Sequence, residues 1–392
     1  MTVEKLVYGG DGLARLDGRV VFAPFVLPGE RVRVQAGREK PGLIHASTVK
    51  ILEPSASRVA APCPVFGRCG GCHYQHAPYA DQLAFKRAIL EEELRRLGKI
   101  TPPEAITVIA GDPWGYRNRV QLRVENGRLG YLEIRSHKLC PIAGCPIASP
   151  KLNQAIETLN RMLPDPKWPR MVRAIELFSD EAGLQLNVIE TDRPVARRFF
   201  EWCAENIPGM VEGALDYNGK YRVSRGSFFQ VNRFLLQQLV EEAIAGVEGD
   251  SAFDLYAGVG LFAPALASRF GRVTAVESGA GAARDLQFNA ERASLANVRV
   301  EARMVEEFLQ EQQRPVDFVL VDPPRAGLGQ AAVRRLAELQ PLQVAMVACD
   351  PATLARDLGV LVASGYGIVR VAMVDLFPQT YHLEAIVHLR RT

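Results

Sequence analysis

Three groups of side chains in this 392-residue sequence have the types and spacing to do chemistry. Cys349 closes the apolar run Val344-Ala345-Met346-Val347-Ala348 and is followed by Asp350-Pro351. Glu384 heads a terminal apolar strand, after Pro378-Gln379-Thr380-Tyr381-His382-Leu383. A thiolate adds to electron-poor carbons, and a carboxylate in reach can take the proton released afterwards, so the pair fits covalent catalysis with a separate base. Taken singly, each has a plainer reading, as a buried structural cysteine and a solvated glutamate.

The second group is Asp254-Leu255-Tyr256-Ala257-Gly258-Val259-Gly260-Leu261-Phe262, between an apolar strand and a helix. Gly258 and Gly260 permit a tight turn and close backbone approach to a nucleotide-like ligand. Glu277, twenty-three residues beyond Asp254 at the end of the next strand, is placed to accept both hydroxyls of a ribose. Asp322-Pro323-Pro324-Arg325 ends a fourth strand and makes a stiff loop able to present polar groups to a flat base. Pro264 stands where a dinucleotide fingerprint has its third glycine, so S-adenosylmethionine, which carries no phosphate, fits better than NAD.

Four of the seven cysteines fall between Cys63 and Cys140. Cys63, Cys69 and Cys72 sit in a loop with Gly67, Gly70 and Gly71, which lets three thiolates converge, and either Cys140 or Cys145, each followed by Pro-Ile, can complete a set of four. All-thiolate ligation admits zinc or an iron–sulfur cluster. An odd count suits a metal site better than a secreted disulfide framework.

These groups need elements to hold them. Short alternating runs broken by Gly and Pro over residues 1–55 predict a small antiparallel, OB-like barrel, and a Pro- and Ser-containing passage from 54 to 71 links it to the cysteines. A helix is expected from Asp81 to Leu97, with Leu83, Leu90, Leu94 and Leu97 on one stripe and Gly98 ending it; it is a candidate to pack on the catalytic domain. The region 56–225 reads as α+β, with strands near 115–135 and 184–189 and a helix over 193–206. From 226 to 392 strands and helices alternate (252–256, 272–277, 298–302, 317–322, 344–349, then 368–376 and 383–389), the signature of a Rossmann-like α/β sheet.

Hydrophobic residues make up 48% and charged residues 23%, which excludes wholesale disorder. No apolar run reaches the ~18 residues of a membrane span, and Met1-Thr2-Val3-Glu4-Lys5 has no signal-peptide core, so a cytoplasmic protein is expected. The net charge of +3 does not by itself point to nucleic acid. Locally, Arg117, Arg119, Arg123, Arg128, Arg135 and Lys138 outnumber Glu125 and Glu133 by four, with Tyr116 and Tyr131 as stacking surfaces, which reads either as an RNA-binding face or as the wet side of a sheet.

Five strings in order, Ser227-Phe228-Phe229-Gln230-Val231-Asn232, Asp254 to Phe262, Asp322 to Gly327, Cys349-Asp350-Pro351-Ala352-Thr353-Leu354, and Phe377-Pro378-Gln379-Thr380 with His382 and Glu384, are similar to those of the RNA uracil-5 methyltransferases, in their TRAM-domain, iron–sulfur-containing branch. The resemblance spans essentially the whole chain. It implies that Cys349 is the nucleophile and Glu384 the base. It also implies that Gln230, Tyr256, Glu277 and Asp322 contact S-adenosylmethionine, and that Cys63, Cys69, Cys72 and Cys145 hold a four-iron cluster of structural role. The implied reaction adds the Cys349 thiolate to carbon 6 of a single-stranded or flipped-out uridine, transfers methyl to carbon 5, and lets Glu384 remove the carbon-5 proton. The implied substrate is 23S ribosomal RNA, with transfer RNA as the alternative, and a monomer is expected. Two positions depart from the family pattern: Ala257 replaces a common cysteine, and Asp350 replaces the usual Asn, where a carboxylate beside the thiol is expected to raise its pKa. The competing readings are a radical methylthiotransferase, against which the C-x5-C spacing stands, and a non-catalytic RNA-binding factor.

Overall fold

Alternating burial along the first fifty residues curls five strands into a barrel: β1 (Lys5–Leu6), β2 (Asp11–Leu16), β3 (Arg19–Pro24), β4 (Arg31–Lys40) and β5 (Leu43–Glu53). The computed structural model describes residues 1–101 and 105–392. The strands lie in the order β1-β2-β3-β5-β4, and a bridge between Thr2 and Arg31 closes the ring around Val3, Val21, Ala23, Val26, Val32 and Ile44. The pairing is not wholly antiparallel, as β3 and β5 run parallel. A period of two identifies a strand and its buried face but not the direction of its partner.

The cysteine-bearing loop, residues 60–76, leads into α1 (Tyr79–Arg96) and the short β6 (Thr107–Ile109). A second sheet follows, ordered β11-β10-β7-β8-β9, from β7 (Arg119–Glu125), β8 (Arg128–Leu132), β9 (Leu139–Pro141), β10 (Val172–Ser179) and β11 (Leu184–Thr191). It packs against α2 (Pro150–Met162) and α3 (Arg197–Asn206) through Leu122, Leu129, Leu152, Ile156, Leu159, Ile175 and Phe199. The Ser149 side chain accepts from the Leu152 amide and Pro150 opens α2, a helix start whose caps are both local. Strand β12 (Leu215–Tyr217) pairs with β13 (Tyr221–Val223) as a hairpin leading to the last domain.

That domain alternates α4 (Leu236–Ala243), β14 (Gly249–Leu255), α5 (Ala263–Ala267), β15 (Phe270–Val276), α6 (Ala280–Arg292), β16 (Val298–Glu301), α7 (Val305–Glu311), β17 (Phe318–Val321), α8 (Gly329–Leu339), β18 (Gln343–Ala348), α9 (Pro351–Ala363), β19 (Tyr366–Val374) and β20 (Glu384–Arg391). The sheet order is β16-β15-β14-β17-β18-β20-β19-β6, parallel except for β20. Hydrophobic layers cover both faces, which is why its strands read as continuous apolar runs. The order reverses between β14 and β17, and on such sheets ligands bind at the strand ends beside that reversal. No helix among the described residues is long and apolar enough to cross a membrane.

Two pieces of the 56–225 segment belong to this sheet rather than to the middle one. Strand β6, which carried no sequence signal, extends its edge beside β19, and α1 packs on α9 through Ile89, Leu90 and Leu94. Its face differs from the leucine stripe that periodicity predicts: Leu97 is 42% exposed, whereas Gln82 and Lys86 are fully buried. The Lys86 ammonium donates to Asp375 Oδ1 at 2.6 Å and to the Phe377 carbonyl at 2.9 Å, with both charged side chains shielded from solvent. Removing one partner of such a pair strands the other charge. Lys86→Met is therefore expected to destabilise the protein by about 3–5 kcal/mol in chemical unfolding, with part of the loss recovered in Lys86→Met/Asp375→Asn.

Candidate active site

Tyr256, Glu277, Asp322 and Cys349 stand at the carboxyl ends of β14, β15, β17 and β18, and Glu384 opens β20 beside β18. Tyr256 turns the chain out of β14 with a left-handed φ of 63°, followed by Gly258 at 57° and Gly260 at 90°. A Cβ on Gly260 would meet Leu286 Cδ1 at 2.5 Å, so both the conformation and the contact with α6 require glycine there. Glu277 spans the mouth of the crevice: Oε2 accepts from the Gly258 amide at 2.9 Å and Oε1 from the Gly279 amide at 2.6 Å. Burial, joined by the Glu306 carboxylate, pushes the Tyr256 phenol up.

Sequence reasoning used Asp254 only as a landmark, yet it is the most unusual carboxylate of the crevice. It is fully buried, and both oxygens have no hydrogen-bond partner among the described residues. Burial raises its pKa to about 8, with the Asp322 and Glu277 charges adding to the shift, and burial likewise takes Asp322 to about 7. The available signal was an acidic residue at the end of the first strand of the sheet.

Ala348 and Ala385 are the last pair between β18 and β20, and Cys349 and Glu384 are the residues next to them on the two segments, near enough for the Glu384 charge to act on the thiol. Burial pushes the thiol up to about 12, the Glu384 and Asp322 carboxylates add to this, and Arg325 opposes it. Glu384, 4% exposed, is raised well above the ordinary carboxylate range by burial and Asp322, again opposed by Arg325. Asp350 also has a structural role that its position beside the thiol did not suggest. Its carboxylate caps α9, accepting from Ala352 N at 3.1 Å and Thr353 N at 2.9 Å. A carboxylate held by two amides is turned toward the helix rather than the neighbouring sulfur.

Gln230, 6% exposed, lies in a segment fastened to both neighbours. Asn118 donates to its carbonyl at 3.0 Å, while Ser224 and Ser227 donate to Asp285 on α6. Within this segment Phe229 is buried but Phe228 is 62% exposed, a free aromatic face that the motif alone did not single out.

The basic strand face is smaller than alternation predicts. Arg119 is buried, donating to the Ser227 carbonyl at 2.8 Å and lying over the Phe178 ring, and Tyr116 is 0% exposed. Arg117 and Tyr131 line the cysteine cavity instead. The segment before β7 is threaded between domains, so its alternate residues meet other chain segments rather than water. Arg123, Arg128, Arg135 and Lys138 remain accessible, with Arg123 paired to Glu190 and Arg135 to Asp11. A cavity of about 70 Å³ is lined by Cys63, Cys69, Cys72 and Cys145, while Cys140 is buried in β9 outside its lining. The Nε of Arg117, which lines the same cavity, is buried without a partner among the described residues.

A carboxyl group whose folded pKa lies above its unfolded value binds more protons folded than unfolded, so stability falls as pH rises through that interval. For Asp254 the interval runs from the ordinary 3.8 to about 8. Asp254→Asn is expected to flatten the decline in melting temperature between pH 5 and pH 8, by about 1.4 kcal/mol of stability for each pH unit inside the window. An unchanged slope would place the loss elsewhere.

Comparison with known proteins matches this geometry to a family. A profile described as tRNA (Uracil-5-)-methyltransferase matches residues 208–392, and one described as TRAM domain matches residues 1–49. An uncharacterized RNA methyltransferase of Streptomyces avermitilis is 37% identical, covering 99% of this chain and 96% of that protein. The 23S rRNA (uracil(1939)-C(5))-methyltransferase RlmD of Pectobacterium atrosepticum is 34% identical over 98% of this chain and 92% of its own. The crystal structure of Pyrococcus abyssi tRNA (uracil-54, C5)-methyltransferase with S-adenosyl-L-homocysteine superposes with a TM-score of 0.77 at 25% identity, covering 99% of each chain. With a TRAM barrel in front of a class I methyltransferase sheet, the chain belongs to the RNA uracil-5 methyltransferases, enzymes that transfer methyl from S-adenosylmethionine to carbon 5 of uracil in RNA.

Proposed function

We propose that this enzyme methylates a uridine of 23S ribosomal RNA, with Cys349 as nucleophile and Glu384 as base. The observation that carries the chemistry is a thiol and a buried carboxyl at the adjoining ends of adjacent strands, close enough for the carboxylate charge to act on the thiol. S-adenosylmethionine supplies an electrophilic methyl on a cationic sulfonium. Gln230, Tyr256, Glu277 and Asp322 would hold it, Glu277 through the acceptor positions left free by its two amide bonds, and the Asp254 carboxylate, without a partner among the described residues, suits a cationic group nearby. Burial favours a neutral thiol and a neutral Glu384, and a cation beside them would favour the ionised forms, so a bound sulfonium would help to activate the nucleophile. Cys349 then adds to carbon 6 of uracil, carbon 5 takes the methyl group, Glu384 removes the carbon-5 proton and the thiolate departs.

The RNA enters by a cleft of about 830 Å³ shared by the barrel turn Gly9–Asp11, the loop at Gly70, Gly71 and His73, the strand residues Arg123 and Arg135, and Tyr381. Phe228 offers a stacking face to an unpaired base. The choice of 23S RNA rests on the 34% identity, over nearly the full length, to the Pectobacterium enzyme that acts there. RNA carrying 5-fluorouridine has no carbon-5 proton to lose, so 23S fragments with this base are expected to trap a covalent adduct that Cys349→Ser abolishes. Glu384→Gln is expected to accumulate adduct on natural RNA. Trapping on transfer RNA and not on 23S fragments overturns the substrate, and no trapping on either overturns the mechanism.

The donor set at the second cavity fits an iron–sulfur cluster held by Cys63, Cys69, Cys72 and Cys145. These four thiols line one cavity, otherwise lined mainly by apolar residues and glycines with Arg117, Gln75 and Tyr131. A lone zinc needs all its sulfurs about 2.3 Å from one centre, whereas a cluster spreads them over separate irons. Four thiolates also leave the group anionic, which suits the unpartnered Arg117 Nε. Protein purified without oxygen is expected to contain about four irons and four sulfides per chain. Stoichiometric zinc without sulfide would overturn the assignment.

A further inference from the structure

The barrel reaches the catalytic strand end directly. The turn between β1 and β2 presents three neighbouring residues to three different segments. The Tyr8 hydroxyl donates to the carbonyl of Cys349 at 2.9 Å, across 341 residues of sequence. Gly10, with φ of +90°, leaves room for the His73 ring, which would lie 3.1 Å from a Cβ there. Asp11 pairs with Arg135. The Tyr8 ring also stands edge-on to Tyr381 at 5.4 Å, and Tyr381 packs against His73 at 4.6 Å and His382 at 4.1 Å, two residues before Glu384. Leu6, on β1, is 4% exposed within the hydrophobic layer of the catalytic sheet.

From these contacts we infer that Tyr8 is a positioning residue for methyl transfer: the barrel fixes the backbone of the nucleophile as well as serving RNA binding. This inference rests on Cys349 being the nucleophile. The Cys349 carbonyl lies where β18 has ended and α9 has not begun, since Asp350 is the helix cap. The peptide that sets the direction of the thiol is thus held in part by a hydroxyl from another domain. Addition to carbon 6 requires sulfur and ring carbon in line at contact distance, and small displacements there slow reaction steeply. Losing the hydroxyl while keeping the ring should therefore slow chemistry without weakening substrate binding.

The test is Tyr8→Phe in the full chain, which retains the ring against Tyr381. With saturating 5-fluorouridine RNA and S-adenosylmethionine, the rate of adduct formation is expected to fall about fivefold, the effect of one net hydrogen bond, while the RNA dissociation constant stays the same. Hydrogen exchange should quicken at the start of α9 and not within the barrel. An unchanged adduct rate overturns the inference, as does a loss of RNA affinity with the saturating rate intact, or faster exchange confined to the barrel. Absence of adduct in the unsubstituted enzyme is a different failure, which removes the underlying reading of Cys349.

Discussion

The loop between β19 and β20 is buried, so its polar groups need partners, and it finds them on four other segments. Asp375 and the Phe377 carbonyl take the Lys86 ammonium. Gln379 exchanges backbone and side-chain bonds with Gln82 on α1, and its carbonyl accepts from the His73 and Tyr74 amides. Tyr116 donates to the Pro378 carbonyl and Asn232 to that of Leu376. An unpaired buried group costs about 1–3 kcal/mol, so none of these segments can shift without penalty to the others. The loop then delivers Tyr381, His382 and Glu384, and the position of the proposed base is thus set jointly by the cysteine loop, α1, the middle sheet and the catalytic domain.

The same linkage gives the proposed cluster a structural reason to be present. His73 and Tyr74 follow Cys72 directly and donate to the Gln379 carbonyl. On the far side, the Gly115 and Arg117 amides bond to the Pro146 and Ile147 carbonyls just after Cys145, while Asn118 holds the Gln230 segment. Anything that ties Cys63, Cys69, Cys72 and Cys145 together therefore also fixes the two stretches of backbone on which the proposed cofactor and proton-transfer residues depend.

Electrostatics in the crevice point the same way. Asp254, Asp322 and Glu384 are driven toward their neutral forms by burial and by one another, and Cys349 toward its thiol. Such a site is suited to a cationic ligand, because an incoming positive charge lets these groups ionise without crowding. A resting enzyme with a quiet thiol is also protected from oxidation and from adventitious electrophiles.

Local patterns were enough to read the barrel strands, the alternation of the catalytic half, the glycine turn after Asp254, the thiol at the end of β18 and the clustering of cysteines, because each depends on spacing within a few residues. They misled where a residue's environment comes from distant chain. Arg119 and Tyr116 alternate like a solvated face but lie between domains, and Lys86 looks like a surface charge on α1 but is buried against Asp375. Asp350 looked like a brake on its neighbour and is a helix cap, while β6 gave no signal because three residues at a sheet edge have no period to detect. The sequence by itself determined the family to which the chain belongs and which side chains are candidates for its chemistry. Only the tertiary structure decided which of them meet, since the contacts that matter, Tyr8 with Cys349 and Lys86 with Asp375, join positions hundreds of residues apart, and no local pattern encodes the pairing of distant groups.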